Sequence, residues 1–300
     1  MLNPLYFETV TESKKWVLNN IPFYTKWFRF QLFWSSSDTF HHNLKVDPNW
    51  PDKKHTLNAA NAEVRKQLEA HIASEVGHDP ELIRKATPDY PPYGKRMLRD
   101  NHWYRMLTKP NVDLVDLSID HVEPEGVVTS DCTLHPCDIL VLATGFETRR
   151  MLWPMQIEGR GGATILDRWG DEDPRAHLGI TVPEFPNFFV IYGPNTNLSH
   201  GGSAVFHLEC QVRYIMQGLR ELIESGNAAL EIKPEPFWAY QEKVDAAHRD
   251  LVWSHGGVTS WYKNSAGRVH AASPWRLVDY RNLTEVFNPA EYEFTPAANA

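Results

Sequence analysis

The sequence predicts an α/β fold, and two buried strands and one long helix are the observations behind that prediction. The first strand, Asp138–Leu142, carries consecutive apolar residues and stops at the small residues Ala143-Thr144-Gly145. An apolar run without alternation is typical of a strand covered on both faces, as in parallel sheets. A second run, Phe188–Tyr192, precedes a polar loop and a predicted helix over 203–225. Strand, loop and helix in this order form half of a mononucleotide-binding unit.

The first ninety residues are predicted to be helical and begin with an aromatic segment. Spacings of i, i+4, i+7 and i+11 place four aromatic side chains on one helical face: Phe23, Trp27, Phe30 and Trp34. We favour a core or domain-packing surface for this face. A substrate tunnel and a membrane-surface role stay open, the latter because Lys26 and Arg29 lie on the polar side.

A second helix is predicted over 61–76, with apolar residues at four-residue steps from Val64 to Val76 and a stop at Gly77. Three prolines then break the helical pattern and lead into the turn Tyr93-Gly94-Lys95-Arg96: Pro88, Pro91 and Pro92.

Shorter elements complete the prediction. Strands are expected at Val112–Leu117, at Val127-Val128 after a turn at Glu125-Gly126, and at Ala229–Ile232. The helix over 203–225 ends at Gly226-Asn227 and is followed by another over 236–252. The expected apolar face of the helix over 203–225 comprises Val205, Leu208, Val212, Ile215, Leu219 and Leu222.

Composition excludes several classes of protein. A net charge of -8 argues against nucleic acid, because phosphate binding needs clustered Lys and Arg. Three cysteines are too few for a disulfide framework. No signal peptide and no apolar window of membrane-spanning length occurs, so we expect a soluble cytoplasmic protein and disfavour a membrane partner. Cys132, His135 and Cys137 offer three soft ligands where structural zinc needs four, so no metal site is predicted.

Three motifs in order carry a family resemblance. Pro92-Tyr93-Gly94-Lys95-Arg96 lies upstream of Ala143-Thr144-Gly145-Phe146, and Gly193-Pro194-Asn195-Thr196-Asn197 lies downstream. This order resembles flavin-dependent Baeyer-Villiger monooxygenases, particularly the type acting on hydroxyacetophenone-like aryl ketones. The resemblance runs over nearly all 300 residues.

The resemblance also defines what the sequence lacks. Those enzymes carry two glycine-rich turns, for FAD and NADPH, with a fingerprint between them; none of the three occurs here. We therefore expect the C-terminal portion of a flavoprotein with two dinucleotide-binding domains and a helical insertion, with Met1 an internal methionine. The implied domains are a helical insertion over 1–92, the end of the NADPH domain over 93–137, and part of the FAD domain over 138–300. Strands without their neighbours should leave apolar faces uncovered.

Arg96 is the predicted catalytic residue. Baeyer-Villiger chemistry passes through anionic species, which a permanently charged guanidinium stabilises. In the resembled family an arginine at this place has that role, and the preceding lysine, here Lys95, is associated with NADP. The resemblance also implies cofactor contacts by Ala143, Thr144 and Gly145, by Gly193–Asn197 with backbone N–H groups beside the flavin, and by Trp261 on the nicotinamide side.

The implied activity is an FAD- and NADPH-dependent monooxygenase that uses O2 to convert a ketone into an ester or lactone. An N- or S-oxidising flavin monooxygenase is one alternative, disfavoured by Arg96. A non-catalytic remnant or interaction module is another, and in either case the isolated chain is expected to be inactive. A homo-oligomer or a missing N-terminal half are the possible protein partners.

Overall fold

The computed structural model describes residues 9–34 and 37–297, which form two compact units. The first unit comprises Lys66–Asp89 and Arg99–Glu147. The second comprises the described residues up to Arg65, Tyr90–Leu98 and everything from Thr148 onward. The mixed helix-and-strand composition predicted from the sequence is confirmed. The predicted domain ranges 1–92, 93–137 and 138–300 do not coincide with these units and stay a prediction.

The described part of the first ninety residues is mainly helical, as predicted. They contain α1 (Glu12–Asn20), α2 (Tyr24–Trp34), α3 (Ala59–Glu75) and α4 (Pro80–Ala86). The α3 helix covers the predicted 61–76 segment, and Gly77 ends it with a φ of +65°. A Cβ disfavours that left-handed conformation, which explains glycine at the stop.

The aromatic face of the first ninety residues does not lie in a core. Phe23 has a φ of +62° and precedes α2, so it belongs to the turn before the helix. Trp16, Phe23 and Trp27 are each more than half exposed. These three residues therefore do not lie in a core of the described structure, whereas the domain-packing interpretation stays a prediction. The Trp34 side chain lies outside the described part of the structure.

The first unit contains α5 (Trp103–Met106) and one antiparallel sheet. Its strands are β1 (Ile119–Glu123), β2 (Gly126–Thr129) and β3 (Leu134–Pro136), in that order. The predicted hairpin is confirmed, with Glu123 opposite Gly126. The predicted strand at Val112–Leu117 is wrong, because that segment joins no ladder in the described structure.

The predicted strand Asp138–Leu142 is also absent. Its residues adopt no regular structure, and Ile139, Val141 and Leu142 are each more than three-quarters exposed. A strand exists only when its backbone pairs with another, and the described residues supply no partner here. The expectation that apolar side chains are left uncovered is confirmed at this segment.

The second unit packs α7 (Ala204–Glu224), α8 (Pro234–His248) and α9 (Leu277–Leu283) with a two-stranded antiparallel sheet. That sheet pairs β4 (Asn227–Ile232) with β5 (Tyr292–Pro296), placing Ile232 opposite Tyr292. The β4 strand and the end of α7 at Gly226 agree with the predictions. The α8 helix starts at Pro234 and ends before Val252, so the predicted 236–252 bounds are shifted. The short α6 (Ile165–Trp169) completes the helices.

The predicted strand Phe188–Tyr192 is wrong as a strand. The segment forms no strand, and two of its backbone N–H groups donate into the preceding chain: Phe188 N to Phe185 O at 3.3 Å and Val190 N to Ile180 O at 2.8 Å. A φ of +58° at Tyr192 turns the backbone out of the extended region immediately before Gly193. This turn delivers the chain to the loop described below.

The α7 helix matches its predicted bounds to within one residue, and Ile215 and Leu222 of its predicted face are buried, but the rest of the buried face differs from the prediction. Val205 and Val212 are exposed, whereas the buried side chains are His207, Cys210, Gln211, Tyr214, Ile215, Gly218 and Leu222. Polar side chains on this face are buried because they bond to a neighbouring loop. The Tyr192 N–H donates to Gln211 Oε1 at 2.9 Å, and His207 Nδ1 lies 2.9 Å from Thr196 O.

Candidate functional site

The loop Gly193–Asn197 is held rigidly inside the second unit. Asn195, with a φ of +58°, is 2% exposed, and its Nδ2 donates to Val269 O at 2.8 Å. The backbone N–H groups of Asn195 and Asn197 donate to the carbonyls of His270 and Ala271 at 2.8 and 3.0 Å. The Thr196 N–H donates to Gly193 O at 3.3 Å. Three of the N–H groups expected beside a flavin are thus already used within the chain.

Glycine at position 193 lets two backbones touch. A Cβ built on Gly193 would collide with the carbonyl oxygen of Gly179, and a Cβ on Gly179 would collide with the Thr196 side chain. Backbone atoms cannot move aside as a flexible side chain can. The close approach explains why glycine occupies both positions.

We expect Gly193→Ala to lower the free energy of unfolding by about 2 kcal/mol or more, because overpacking against a fixed backbone forces the two segments apart. Denaturant unfolding measures the change. Gly256→Ala is the matched control, since a Cβ at Gly256 meets no atom within 4 Å. Equal stability of the two variants would contradict the close approach.

A partly buried arginine holds the same loop from the other side. Arg268 Nε donates to Asp245 Oδ1 at 2.9 Å and Nη1 donates to Asp173 Oδ1 at 3.0 Å. Its Nη2 donates to Asn195 Oδ1 at 3.3 Å. Burial lowers the pKa of Arg268, and the two carboxylates oppose this by favouring the charged form. Nothing in the sequence pattern singled out Arg268, because its partners lie far away along the chain.

Arg96 lies beside the end of this loop. Its Nη1 donates to Leu198 O at 2.7 Å while the residue remains exposed. Burial raises the pKa of Tyr192, and a hydrogen bond with the Leu198 backbone and the nearby Arg96 charge oppose that rise. The Tyr192 hydroxyl donates to Asn197 Oδ1 at 2.6 Å. Arg96, Tyr192 and Asn197 therefore form one continuous polar surface.

The turn that carries Arg96 is anchored in the core. Tyr93 has a φ of +68°, and its carbonyl accepts a hydrogen bond from the Trp253 indole N–H at 3.0 Å. Both residues belong to a buried cluster that includes Leu44, Leu57 and Tyr262. Lys95 points elsewhere, with its Nζ 4.5 Å from the Tyr90 ring centroid. The turn thus fixes the Arg96 backbone independently of any ligand.

Trp261 is 41% exposed and contacts Tyr262, with ring centroids 4.4 Å apart. Tyr262 is buried and close enough to Tyr192 to influence its pKa, after the larger effects of burial, Leu198 and Arg96. The second unit thus brings together Arg96 and Gly193–Asn197. Trp261 is linked to this group through Tyr262, which contacts Trp261 and influences the pKa of Tyr192.

Ala143, Thr144 and Gly145 belong to the first unit and are exposed. Gly145 has a φ of +86°, which agrees with the expected turn after the apolar run. Their predicted contact with a flavin stays a prediction.

Buried histidines surround the loop, and no periodic pattern of residues predicts them. His200 is 6% exposed, and neither ring nitrogen has a hydrogen-bond partner. Burial, reinforced by the neighbouring histidines, lowers the pKa of His200 to about 3. Its ring packs edge-on against His41, with centroids 5.3 Å apart. These rings are therefore neutral at pH 7.

Among the described residues, no cluster of three or more His, Cys, Asp and Glu side chains is arranged to hold a metal ion. No helix in that part of the chain is both long and apolar enough to span a membrane.

Comparison with known proteins identifies relatives. An uncharacterised monooxygenase of Sinorhizobium fredii is 37% identical over 297 residues, which is 99% of this chain and 45% of that protein. A Baeyer-Villiger monooxygenase of Streptomyces coelicolor is 34% identical over 223 residues, covering 74% of this chain and 43% of that protein. A solved structure of an oxidised steroid monooxygenase bound to NADP matches with a TM-score of 0.69 and 29% identity, over 83% of this chain and 47% of that one.

No family model matches the sequence. The chain spans less than half the length of the curated relatives that it matches. The similarity nevertheless includes both described units of the fold, because the first relative aligns over nearly the whole chain.

Proposed function

Because the chain is homologous to the C-terminal part of the flavin-dependent Baeyer-Villiger monooxygenases, we propose that it supplies the oxygen-insertion half of such an enzyme. The proposed reaction consumes a ketone, O2, NADPH and a proton and yields an ester or lactone, water and NADP⁺. The observation that carries the proposal is an exposed, fixed guanidinium at Arg96 beside the rigid loop Gly193–Asn197.

The residues present fit a flavin in part. FAD reduced by NADPH supplies, with O2, the oxygen atom that is transferred. Arg96 uses one N–H to bond Leu198 O and is exposed, so it can face an anionic group. The loop Gly193–Asn197 would hold the ring by its shape and side chains, since the N–H groups of Asn195, Thr196 and Asn197 donate within the chain. Lys95, Trp261 and Ala143–Gly145 are the further proposed contacts.

Arg96 would act by charge rather than by proton transfer. An arginine keeps its proton throughout the accessible pH range, so it cannot serve as a general acid or base at neutral pH. A fixed positive charge instead stabilises negative charge that develops on oxygen when a carbonyl is attacked. The Leu198 carbonyl holds the guanidinium in place before substrate arrives, which reduces the reorganisation needed during reaction.

The isolated chain is expected to bind FAD too weakly to be yellow after purification. Its sequence lacks a G-x-G-x-x-G turn, which together with a helix N-terminus provides most contacts to a dinucleotide pyrophosphate. An absorption spectrum between 350 and 500 nm, about the range of oxidised flavin, with protein-bound FAD quantified after denaturation, measures this. One FAD for each chain would contradict the prediction.

The activity itself is tested by joining this chain to the remaining portion of the Sinorhizobium relative. The joined polypeptide is expected to bind FAD, to oxidise NADPH and to convert 4-hydroxyacetophenone into its ester. Product is identified by mass spectrometry with ¹⁸O2, which places one labelled oxygen in the ester. A joined polypeptide that binds FAD and oxidises amines or sulfides, but no ketone, would overturn the ketone assignment.

A further inference from the structure

The α1–α2 hairpin presents an exposed aromatic surface, which we define as Trp16, Phe23, Trp27 and Phe30. Their exposed fractions are 59%, 78%, 58% and 46%. The Trp27 and Phe30 rings stack, with centroids 5.3 Å apart. Four large aromatic side chains left exposed on one hairpin, two of them stacked, indicate a site of interaction, because leaving them in water is unfavourable.

The hairpin has a separate inner side that joins its two helices. Thr25 Oγ1 donates to Leu18 O at 2.6 Å, and Val17, Leu18, Tyr24 and Phe28 are partly buried. These residues join α1 to α2 on the inner side of the hairpin.

The charge of the hairpin is opposite to that of the chain. Residues 12–34 contain four basic side chains and one acidic side chain, a net charge of +3, whereas the whole chain carries -8. The basic residues are Lys14, Lys15, Lys26 and Arg29. Lys14 Nζ lies 4.4 Å from the Phe28 ring centroid, and Lys26 Nζ lies 5.9 Å from that of Phe23. Lys26 thus borders a ring of the aromatic surface, whereas Lys14 lies over a ring of the inner side.

We propose that the α1–α2 hairpin lies on an anionic lipid membrane, with the aromatic surface inserted at the headgroup level and the basic side chains contacting lipid phosphates. Tryptophan and phenylalanine beside lysine and arginine on a short helix form the composition of a helix that rests in the membrane interface. A second copy of the hairpin fits the surface poorly, because two +3 segments would face each other.

The test is co-sedimentation of the intact chain with vesicles of phosphatidylcholine, with and without phosphatidylserine. Binding is expected only to the vesicles that contain phosphatidylserine, and it should weaken as salt screens the basic residues. The double variant Trp27→Ala/Phe30→Ala should bind at least about tenfold more weakly. Trp103→Ala is the matched control, since Trp103 is also exposed, at 55%, but lies on α5.

Circular dichroism and thermal unfolding establish that each variant is folded before its binding is compared. Failure of the unaltered chain to bind any vesicle would overturn the proposal, and so would full binding by the double variant. Sedimentation equilibrium adds a third readout: a dimer abolished by the double variant would assign the surface to a second copy instead. Loss of vesicle binding in the joined polypeptide would assign the surface to internal packing.

Discussion

Replacing Arg96 by alanine in the joined polypeptide is expected to lower the rate of ester formation by on the order of a hundredfold, while NADPH still reduces the flavin. The guanidinium is needed only when negative charge develops on oxygen, so its loss affects oxygen insertion and leaves hydride transfer unchanged. Removing one preorganised electrostatic contact of this kind costs about 3 kcal/mol or more. When NADPH is oxidised without ester formation, the O2 that is reduced should be released as hydrogen peroxide.

Arg96→Lys is the informative companion variant. It keeps the positive charge but not the planar fork that bonds Leu198 O, so partial recovery of ester formation is expected. Lys95→Ala is the neighbouring control, expected to weaken NADPH binding with a smaller effect on the insertion step. Ester formation by Arg96→Ala within a few-fold of the unaltered protein would remove Arg96 from the proposed mechanism.

Mild acid is expected to unfold the second unit of this chain near pH 5. Burial lowers the pKa of His200 and His248 to about 3 and that of His270 to about 4, against an ordinary value of 6.5. The nearby Arg268 charge adds to the lowering at His248 and His270. The folded chain therefore keeps these rings neutral under conditions in which the unfolded chain protonates them.

The sign of the effect follows from proton binding. Below pH 6.5 the unfolded state binds more protons than the folded state, so stability falls as pH falls towards the folded pKa values. At pH 5 each of the three histidines removes about 2 kcal/mol relative to neutral pH. Their combined loss is about 6 kcal/mol, comparable with the whole stability of a typical domain, about 5–15 kcal/mol.

Far-ultraviolet circular dichroism and tryptophan fluorescence, followed from pH 8 to pH 3, measure the acid transition. His200→Gln should move its midpoint to lower pH, because the glutamine binds no proton on unfolding. His78→Gln is the control, since His78 is exposed. A chain that stays folded at pH 4 would show that the buried histidines are not the acid-sensitive groups.

Local patterns predicted the helices well and the strands poorly. The period of apolar residues in α3 and the glycines at 77 and 226 are local signals, so those elements could be placed from the sequence. The runs Asp138–Leu142 and Phe188–Tyr192 have strand composition, but a strand also requires a partner backbone, which composition does not reveal. The spacing of apolar residues likewise predicted that Val205 and Val212 lie on the buried face of α7, but both are exposed. Gln211 and His207 are buried instead, because they form hydrogen bonds with the neighbouring loop.

The candidate site likewise combines motifs that local patterns predicted with long-range contacts that they did not. The turn at Arg96 and the loop at Gly193 were each visible as motifs, but the hydrogen bond from Arg96 to Leu198 joins residues 102 positions apart. The bond from Arg268 to Asn195 spans 73 positions. Contacts of that range depend on the assembled fold, so neither Arg268 nor the buried histidines could be assigned from sequence alone.

The Arg268 contacts also shape how the second unit folds and opens. The guanidinium closes chain loops of 95, 73 and 23 residues at once, to Asp173, Asn195 and Asp245. Ends so far apart along the chain meet only after most of the intervening structure has formed, so this junction is assembled late on the folding pathway. Interactions that form after the transition state govern the unfolding rate far more than the folding rate. We therefore expect the Arg268 hydrogen bonds to slow the unfolding of the second unit, and so of the loop Gly193–Asn197, more than they change its folding rate.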